Sequence, residues 1–576
     1  MRIFFILFYF ISLFAFAQSN KTFSVDYATT LGDIKPLSNV TAGPGNALAA
    51  YKDARVKMIR TNDYYGPCDF PTYSNFFFNN AINPNFDPTN PDHYNWQSTD
   101  DILAVHHDNG FETFFRLGIS FNLSEKSPYW DPPYDYGDTT YHTISEVFKR
   151  TVMHYNDGWD NGFHYDIRYW NIWTEPDGGF WNTSVSDTTY YRFYEAVTKT
   201  MKAYDASLKV GGPGLLSGSV IHGRTWIPNF IDYCKTHDAP LDFLSWHLYN
   251  QHNPYAINVY GAYIQSLLDD AGYSEAENIV TETNISLGNP DFPDINTPKH
   301  AAWFASMLIS AQNSPIDRLF MYRGDQFLNL FADDSAGYPV YKWSGFGFKS
   351  FALLADEAPV QVAATGSEFV DAEGTLDKDT TNIMILASKT ADDNACYVLI
   401  SNYNSVYDSY ALSIDNLPFP PSETLLITQY QTDAAHPFTE TTSEIKGGPS
   451  LNLNIAEQQA PSVVLLKIEK KNATALDTPS LPTPRSFQLG NYPNPFNPST
   501  TIAYTLPGST SSVLFHVQID LYDTNGRLVR HIENSRQPAG THRLKFDASG
   551  LPGGVYLYRL RVNGAPRLSR KMVVIK

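Results

Sequence analysis

The sequence predicts an α/β protein built on a (β/α)₈ barrel, or TIM barrel, with two all-β modules after it. From about residue 24 to about residue 354, short β-rich runs alternate with longer helix-like stretches, which is the pattern of a parallel sheet with helical crossovers. Beyond that point the helical periodicity stops and β-rich runs follow one another. A chain of 576 residues is also too long for one hydrophobic core, so several folded units are expected.

The barrel is predicted over residues 22–355. Helix-like segments at residues 143–155, 188–206 and 257–271 are each long enough to carry the chain back to a neighbouring parallel strand. Eight strand and helix units close one barrel, and eight candidate strands can be placed in this region. They lie at residues 25–27, 56–61, 112–116, 167–173, 208–212, 243–247, 278–281 and 318–322.

The chain begins with a predicted secretory signal peptide at residues 1–17. Arg2 precedes an apolar run over residues 3–14, and Ala15 and Ala17 supply small residues at the cleavage positions. This run is shorter than the roughly 20 apolar residues that span a bilayer, and no later segment is long enough. The mature chain is therefore predicted to have no transmembrane span.

Charge and cysteine content exclude several classes of function. A formal net charge of −19 does not suit a nucleic-acid binder, so no nucleic acid is expected as a partner. Three scattered cysteines support neither a disulfide framework nor a paired-cysteine zinc site. His106 and His107 lie in a helix-like run without a spaced carboxylate, which predicts solvated helix positions and no metal site. No cofactor motif is present.

Two β-modules follow the barrel. Residues 356–470 contain runs that alternate apolar and polar side chains, and they predict an accessory antiparallel β-sandwich. Residues 471–485 lack this alternation, and three X-Pro steps favour an extended linker. The last module is predicted over residues 486–576, with β-rich runs around residues 517–522 and 555–561.

Two glutamates end predicted barrel strands. An aromatic-rich strand runs into Glu175 and Pro176, and because proline cannot extend a central strand, Glu175 falls at the carboxyl end. Another short apolar strand ends at Glu282. The two are 107 residues apart, which accommodates three strand and helix units and places them on strands four and seven. Active sites of such barrels lie at the carboxyl ends of the strands.

A carboxyl pair at this face is the arrangement that retaining hydrolysis of a glycosidic bond requires. That route uses two carboxyl groups about 5 to 5.5 Å apart, one as acid/base and one as nucleophile. We predict Glu175 as the acid/base and Glu282 as the nucleophile. Either motif alone is common in unrelated proteins, and their combination is what favours this chemistry.

Both motifs resemble glycoside hydrolase family 39 of clan A, the family of β-xylosidases and α-L-iduronidases. Residues 173–177 match its Trp-Asn-Glu-Pro-Asn/Asp motif at four of five positions. Thr281, Glu282, Asn284 and Ser286 match its nucleophile motif, while Thr283 replaces the usual aromatic residue. The resemblance covers about residues 22–470 and implies a retaining glycosidase that acts on poly- or oligosaccharides without a cofactor.

The resemblance also implies residues that bind substrate or orient the nucleophile. It assigns Arg60 and the strand-six residues to steering the nucleophile. Thr174 stands where the family has an asparagine that contacts the sugar 2-hydroxyl, so substrate choice or rate is expected to differ. Strand parity with Glu175 favours Trp173 over Trp170 as a sugar-stacking residue. The predicted set is Arg60, Trp173, Thr174, His247, Tyr249 and Asn284.

Three charged residues near strand ends receive weaker interpretations. Asp63 and Asp325 follow strands two and eight and could contact substrate hydroxyls, although loop carboxylates commonly have no specific role. Arg323 directly follows strand eight, and one hypothesis is that it pairs with a uronate or sulfate group of the substrate.

The C-terminal module resembles the immunoglobulin-like sorting domain of type IX secretion. The matching segments include residues 491–500, 523–529 and 551–556, together with Lys571 and Met572. The resemblance implies an immunoglobulin-like β-sandwich, the type IX machinery as a partner, and a protein that is secreted or attached to the cell surface. The alternative for this module is an ordinary surface β-domain.

A different class of function remains open at this stage. Thr174 and the two β-modules also fit a non-catalytic surface protein that binds carbohydrate on a glycosidase scaffold. Turnover of a glycoside that depends on Glu175 would distinguish the two.

Overall fold

In the computed structural model, one compact unit contains residues up to 333 together with 339–471, and residues 472–576 belong to a second unit. The predicted signal peptide lies outside the described residues, as does the predicted linker apart from Lys471. The structure describes residues 20–78, 81–120, 140–178, 181, 186–249, 253–287, 293–325, 330–332, 339–369, 382–471, 488–492, 494–506, 514–524, 526–538, 540–562 and 565–576.

A closed barrel of eight parallel strands confirms the predicted fold class. Its strands follow one another as β2-β3-β6-β7-β8-β9-β10-β11, and β11 pairs back to β2. In chain order the strands of this region are β1 (Asn20–Asp33), β2 (Asn39–Thr41), β3 (Met58–Arg60), β4 (Phe77–Phe78), β5 (Ala81–Ile82), β6 (Glu112–Leu117), β7 (Tyr169–Ile172), β8 (Lys209–Leu215), β9 (Phe243–Tyr249), β10 (Glu277–Asn284) and β11 (Arg318–Tyr322).

Helices surround the barrel and connect its strands. Those at residues 142–157 and 188–204 bury one face and expose the other, which is the pattern expected for crossover helices on the outside of a barrel. The helices of this region are α1 (Leu48–Asp53), α2 (Phe70–Tyr73), α3 (Gln97–Asp108), α4 (His142–Asp157), α5 (Thr188–Tyr204), α6 (Ser217–Ile221), α7 (Trp226–Thr236), α8 (Ala256–Ala271), α9 (Pro298–Gln312) and α10 (Trp343–Glu357). None of the described helices is long and apolar enough to cross a bilayer.

The barrel interior is filled with side chains at its lower levels. Apolar residues from six different strands form one cluster there, and aromatic rings dominate it: Met58, Phe114, Tyr169, Phe243, Ile279 and Phe320. Such a plug closes the barrel from below, so a small molecule can reach the interior only from the carboxyl ends of the strands.

The first predicted barrel strand is wrong. Residues 25–27 belong to β1, which pairs antiparallel with the first strand of the accessory sheet and parallel with a later one, not with the barrel. Phe23, Val25 and Tyr27 are buried, and the residues between them face outward. This strict alternation suits a sheet with one solvated face, whereas barrel strands are buried on both faces. The barrel instead begins at β2, all of which is buried.

The accessory module is a nine-stranded sheet that includes β1. It is antiparallel except where β1 runs beside β15. Apolar side chains from both ends of the strand order share one core, so the sheet curls over itself as a sandwich. Its further strands are β12 (Val360–Thr365), β13 (Ile383–Lys389), β14 (Ala395–Asn402), β15 (Ser409–Asp415), β16 (Thr424–Asp433), β17 (His436–Lys446), β18 (Ser450–Ile455) and β19 (Ser462–Lys470).

The central strands of this sheet are buried on both faces. In β13, Ile383 and Ile385 face the core of the sandwich, while Met384 and Leu386 belong to the core of the barrel. Helix α9 packs beneath the sheet, and the Ser401 hydroxyl donates to the Ala302 carbonyl at 2.8 Å. The barrel and the accessory sheet therefore share a continuous apolar interface.

The C-terminal unit consists of two antiparallel sheets around one apolar core, in agreement with the predicted β-sandwich. The sheets have the orders β20-β21-β24 and β23-β22-β25-β26. Their strands are β20 (Gln488–Tyr492), β21 (Ser499–Leu506), β22 (Leu514–Tyr522), β23 (Leu528–Pro538), β24 (Gly540–Asp547), β25 (Gly554–Val562) and β26 (Ala565–Val574).

The pairing of β1 predicts that its buried face is essential to the larger unit. Replacing the fully buried Val25 by aspartate places an unpaired carboxylate in the sandwich core, at a cost of several kcal/mol. We expect the midpoint of thermal unfolding to fall by more than about 5 °C. Leu31 lies in the same strand but is 57% exposed, so Leu31→Asp is the matched control and should unfold like the wild type. Equal midpoints for the two variants would contradict the pairing.

Candidate active site

The Glu282 carboxylate lies buried at the carboxyl end of β10, where three side chains donate hydrogen bonds to it. Arg60 Nη1 lies 2.7 Å from its Oε1, and Asn62 Nδ2 lies 2.8 Å from the same oxygen. The Tyr249 hydroxyl donates to Oε2 at 2.8 Å. The donors come from β3, from the residues directly after it and from β9, so the carboxylate is fixed from two sides.

Glu175 follows β7 on a strained turn. Its backbone has φ +43°, and Trp173, two residues earlier, has φ +73°, both in the left-handed region that residues other than glycine rarely adopt. The Glu175 amide donates to the Gly214 carbonyl at 2.8 Å, which ties the turn to the end of β8. Backbone strain of this kind is typical of functional sites that the surrounding structure holds in place.

His247 lies between the two glutamates. Its Nδ1 is 2.7 Å from Glu175 Oε1, and its Nε2 is 3.6 Å from Glu282 Oε1. One ligand atom from each of Glu175, His247 and Glu282 lies within 4.8 Å of the others. The structure therefore brings together the two predicted catalytic glutamates and the predicted His247 at one face of the barrel.

The charge balance around Glu282 favours an ionised carboxylate. Burial by itself raises the pKa of this group, but the electrostatic effects of the neighbouring His247 and Arg60 and the hydrogen bonds from Tyr249 and Arg60 outweigh it and hold the pKa below its usual range. Glu282 consequently carries negative charge at neutral pH.

Comparison with known protein families fits this arrangement. Residues 24–317, about half of the chain, match the sequence model of Glycosyl hydrolases family 39. The chain belongs to family 39. Among curated relatives, a β-xylosidase of Geobacillus stearothermophilus is 32% identical over 93 residues, or 16% of this chain and 18% of the relative. A β-xylosidase of Caldicellulosiruptor saccharolyticus is 27% identical over 110 residues, or 18% and 20%. The chain thus spans about a fifth of the length of these relatives.

Solved structures share the fold of this chain over a longer stretch. A glucosidase from Croceicoccus marinus superposes with a TM-score of 0.65 at 22% identity and covers 79% of this chain and 100% of its own. A monomeric β-xylosidase from Caulobacter crescentus has a TM-score of 0.56 at 14% identity and covers 78% and 99%. At these identities the likeness concerns the fold alone.

The C-terminal unit also has a known counterpart. Residues 491–576 match the secretion system C-terminal sorting domain. This match confirms the predicted sorting module and indicates export by type IX secretion, to the medium or to the cell surface.

A second layer of buried polar groups, which the sequence motifs do not predict, supports Glu282 in this family 39 chain. Arg116 on β6 donates from Nε to Asn62 Oδ1 at 3.0 Å, and from Nη2 to Asp69 at 2.7 Å and to Ser120 at 2.9 Å. Because a guanidinium can only donate, it turns the Asn62 amide so that its NH₂ group faces Glu282. Only the position of Asn62, two residues after Arg60, hints at this role in the sequence.

Some predicted site residues face away from the mouth of the barrel. The Trp173 ring is 1% exposed and packs edge-on against Trp181 and Phe193, so it presents no face on which a sugar can stack. Asn284 is fully buried, where its Oδ1 lies 2.9 Å from His300 Nε2 and its amide donates to the Tyr322 carbonyl. This geometry gives both residues structural contacts in place of the expected substrate contacts.

Thr174 remains beside the glutamates. Its hydroxyl accepts a hydrogen bond from Arg60 Nη2 at 3.4 Å. The short side chain therefore contacts the same guanidinium that holds Glu282.

The three weaker candidates form one cluster next to Glu282. Asp63 accepts a hydrogen bond from the Tyr322 hydroxyl at 2.9 Å, and burial together with the charge of Glu282 raises the pKa of Asp63 to about 6. Arg323 is buried, pairs with Asp325 at 2.8 Å and donates to the Asp63 carbonyl at 3.0 Å. The Arg323 guanidinium is thus already bound by protein groups. This geometry does not support the hypothesis that Arg323 pairs with a uronate or sulfate group of the substrate.

The prediction that His106 is a solvated helix residue is wrong. Its side chain is fully buried on the inner face of α3, with Nε2 3.1 Å from the Gly43 carbonyl and Nδ1 3.1 Å from the Thr113 hydroxyl. Burial lowers its pKa to about 4, so the ring is neutral. Among the described residues, the one cluster with spacing suited to a metal ion is Glu175, His247 and Glu282, and the adjacent Arg60 charge opposes cation binding there.

The ion pair between Arg116 and Asp69 predicts that replacing Arg116 alone lowers the free energy of unfolding much more than replacing both residues. Arg116→Leu leaves the buried Asp69 carboxylate without its cation, at a cost of about 3–5 kcal/mol. Replacing Asp69 by leucine as well should restore most of that loss, because no charge then remains buried.

Urea unfolding followed by tryptophan fluorescence would measure this difference, since all ten tryptophans lie in the barrel region. Lys199→Leu breaks a more exposed pair with Glu195 and is the control, with a loss below about 1 kcal/mol. If the single and double variants unfold alike, charge pairing is not what Arg116 contributes.

Proposed function

We propose that this chain is an exported retaining glycoside hydrolase that cleaves poly- or oligosaccharides, with a β-xylosidase-like specificity. Glu175 is the acid/base and Glu282 the nucleophile. The observation that carries the proposal is the approach of their carboxyl groups to within 4.8 Å at the carboxyl ends of barrel strands.

The short separation favours the retaining route. An inverting enzyme keeps its carboxyl groups about 6.5–9.5 Å apart to hold a water molecule between the sugar and the base, whereas a retaining enzyme keeps them about 5–5.5 Å apart. Closest atoms within 4.8 Å fit the shorter spacing and leave little room for that water.

Two displacements follow from this geometry. In the first, Glu282 attacks the anomeric carbon, the glycosidic C–O bond breaks, and Glu175 gives its proton to the leaving oxygen. In the second, Glu175 takes a proton from water, the water oxygen attacks the anomeric carbon, and the ester bond to Glu282 breaks. His247, 2.7 Å from Glu175, keeps that carboxyl in place through both steps.

The surroundings of Glu282 suit a nucleophile. Its donors hold the carboxylate in one orientation before substrate arrives, so little reorganisation is needed in the reaction. The charge of Arg60 and the hydrogen bonds from Arg60 and Tyr249 also help to hold the pKa of Glu282 below its usual range, so that the carboxylate is ionised at neutral pH. A non-catalytic carbohydrate-binding protein has no need of such an arrangement.

The substrate class rests on the relatives. Both curated relatives described above are β-xylosidases, and family 39 is the family to which the chain belongs. Thr174 is the residue at which this chain departs from the family's acid/base motif, and it contacts Arg60, the residue that also binds the nucleophile. The family substrate is therefore the first to test, over a panel of aryl glycosides.

Trapping the covalent intermediate tests the assignment directly. A 2-fluoro glycoside of the sugar that the enzyme hydrolyses should label Glu282, as mass spectrometry of peptides would detect. Glu282→Gln should reduce turnover to background. Glu175→Ala should lower kcat about 10²–10⁴-fold on substrates with poor leaving groups, because proton donation is lost. A label on another residue, or binding of glycans without turnover by the wild type, would refute the proposal.

The pH dependence tests the role of Asn62. Asn62→Asp replaces a donor to Glu282 by a second negative charge at the same place, which raises the pKa of Glu282. Since the nucleophile must be ionised, the acidic limb of kcat/KM should move to higher pH by about one unit or more.

Asn452→Asp is the matched control, because Asn452 is an exposed asparagine on β18 of the accessory sheet. Its acidic limb should coincide with that of the wild type. An unchanged limb in Asn62→Asp would mean that Asn62 does not act on the ionisation of Glu282.

A further inference from the structure

An exposed aromatic ring lies at the carboxyl end of the barrel. Tyr65, in the loop that follows β3, is 47% exposed. Among the described residues of the barrel, the other large aromatic side chain that is exposed belongs to Tyr204, the last residue of α5. That helix leads into β8, so Tyr204 lies at the amino-terminal face. Tyr65 is instead placed on the face where substrates enter such barrels.

The loop that carries Tyr65 is tied to the nucleophile. Asn62, three residues before Tyr65, donates to Glu282 at 2.8 Å. The Asp63 carboxylate accepts from the Tyr322 hydroxyl at 2.9 Å, which fixes the loop to the end of β11. A continuous run of contacts therefore connects the position of the Tyr65 backbone with that of the Glu282 carboxylate.

Arg323 holds the Tyr65 ring itself. Its Nη1 donates to the Tyr65 hydroxyl at 3.4 Å, and its guanidinium carbon lies 5.5 Å from the centre of the ring. The guanidinium is buried, and Asp325 binds it at 2.8 Å. The exposed part of the ring is thus presented in one orientation, and a ring that is fixed in advance loses little conformational entropy when a ligand stacks on it.

A sugar ring fits this surface. A pyranose has flat faces of C–H groups that can pack on an aromatic ring, and a tyrosine ring is apolar with a polar tip. The Trp173 ring, which the strand parity favours for this contact, is buried. Tyr65, by contrast, has a ring that a sugar can reach.

The side of the barrel on which the ring is held determines which part of the substrate it meets. Arg323 follows β11, and β7, which leads to Glu175, is directly opposite β11 in the order of the closed barrel. The acid/base protonates the oxygen of the leaving group, so the side of the mouth away from it receives the glycone. We propose that Tyr65 stacks on the glycone ring and that Arg323 and Asp325 position it, an inference that rests on the proposed retaining function.

This contact has a kinetic signature of its own. Stacking involves none of the reacting atoms, so it stabilises the bound substrate and the transition state alike. An interaction of that kind lowers KM and has little effect on kcat. Loss of the ring should therefore appear in KM, whereas loss of either glutamate appears in kcat.

Initial rates on 4-nitrophenyl β-xyloside, or on whichever aryl glycoside the enzyme hydrolyses fastest, test the role of Tyr65. Tyr65→Ala should raise KM about tenfold, the loss of one stacking contact, and change kcat by less than about threefold. Tyr65→Phe keeps the ring and loses only the bond from Arg323, so KM should rise by no more than about threefold. Tyr204→Ala is the matched control, and its KM should equal that of the wild type.

A double-mutant cycle tests the positioning role of Arg323 and Asp325. Replacing both residues by leucine leaves neither charge of the pair buried alone, and it should raise KM because the ring loses its fixed orientation. In the Tyr65→Ala background the same two replacements should change KM no further, since no ring remains to be held. A merely structural role would give the same rise in both backgrounds and would overturn the positioning role.

The two proposals fail in different ways. An unchanged KM in Tyr65→Ala, or an equal rise in Tyr204→Ala, overturns this inference, while the loss of turnover in Glu282→Gln leaves the proposed function standing. If the wild type hydrolyses no aryl glycoside and no adduct forms on Glu282, the proposed function fails and this inference fails with it.

Discussion

The ion pair between Arg60 and Glu282 is the interaction on which the site depends. A carboxylate removed from water is stable only when a cation and hydrogen-bond donors replace its hydration, and a guanidinium buried beside it needs the same compensation. Arg60 is fully buried and Glu282 nearly so, and each buried charge is therefore stable only because the other compensates it. Their contact joins β3 to β10 across the mouth of the barrel.

Further polar groups are placed to satisfy this pair. Arg116 orients Asn62, Asn62 contacts Glu282, and Asp69 balances the charge of Arg116. On the other side Tyr249 donates to the remaining oxygen of Glu282. Buried polar networks of this kind specify one geometry when they are satisfied, so the position of the nucleophile is built into the carboxyl ends of the barrel strands. The strained turn at Glu175 then needs only His247 to bring the second carboxyl to its place.

Much of this arrangement could be predicted from the sequence, and the remaining features could not be, for identifiable physical reasons. Strand ends mark Glu175 and Glu282, because a proline or a polar loop follows each apolar run. Asn62 and Arg116 act through contacts between strands that no local pattern records. The parity argument for Trp173 assumes an extended strand, and the left-handed backbone of this residue breaks that assumption. For β1, the alternation of Phe23, Val25 and Tyr27 with polar residues was the available signal for an accessory strand.

Because β1 belongs to the accessory sheet, completion of that sheet requires residues from both ends of the larger unit. A strand near residue 20 fills a gap between β12 and β15, so the accessory sheet cannot be completed until residues beyond 409 are available to pair with it. Cutting the chain after the barrel would leave an edge strand with its apolar face uncovered, a surface prone to aggregation. The barrel and its sheet are consequently one folding unit, and a boundary near residue 355 divides the sequence without dividing that unit.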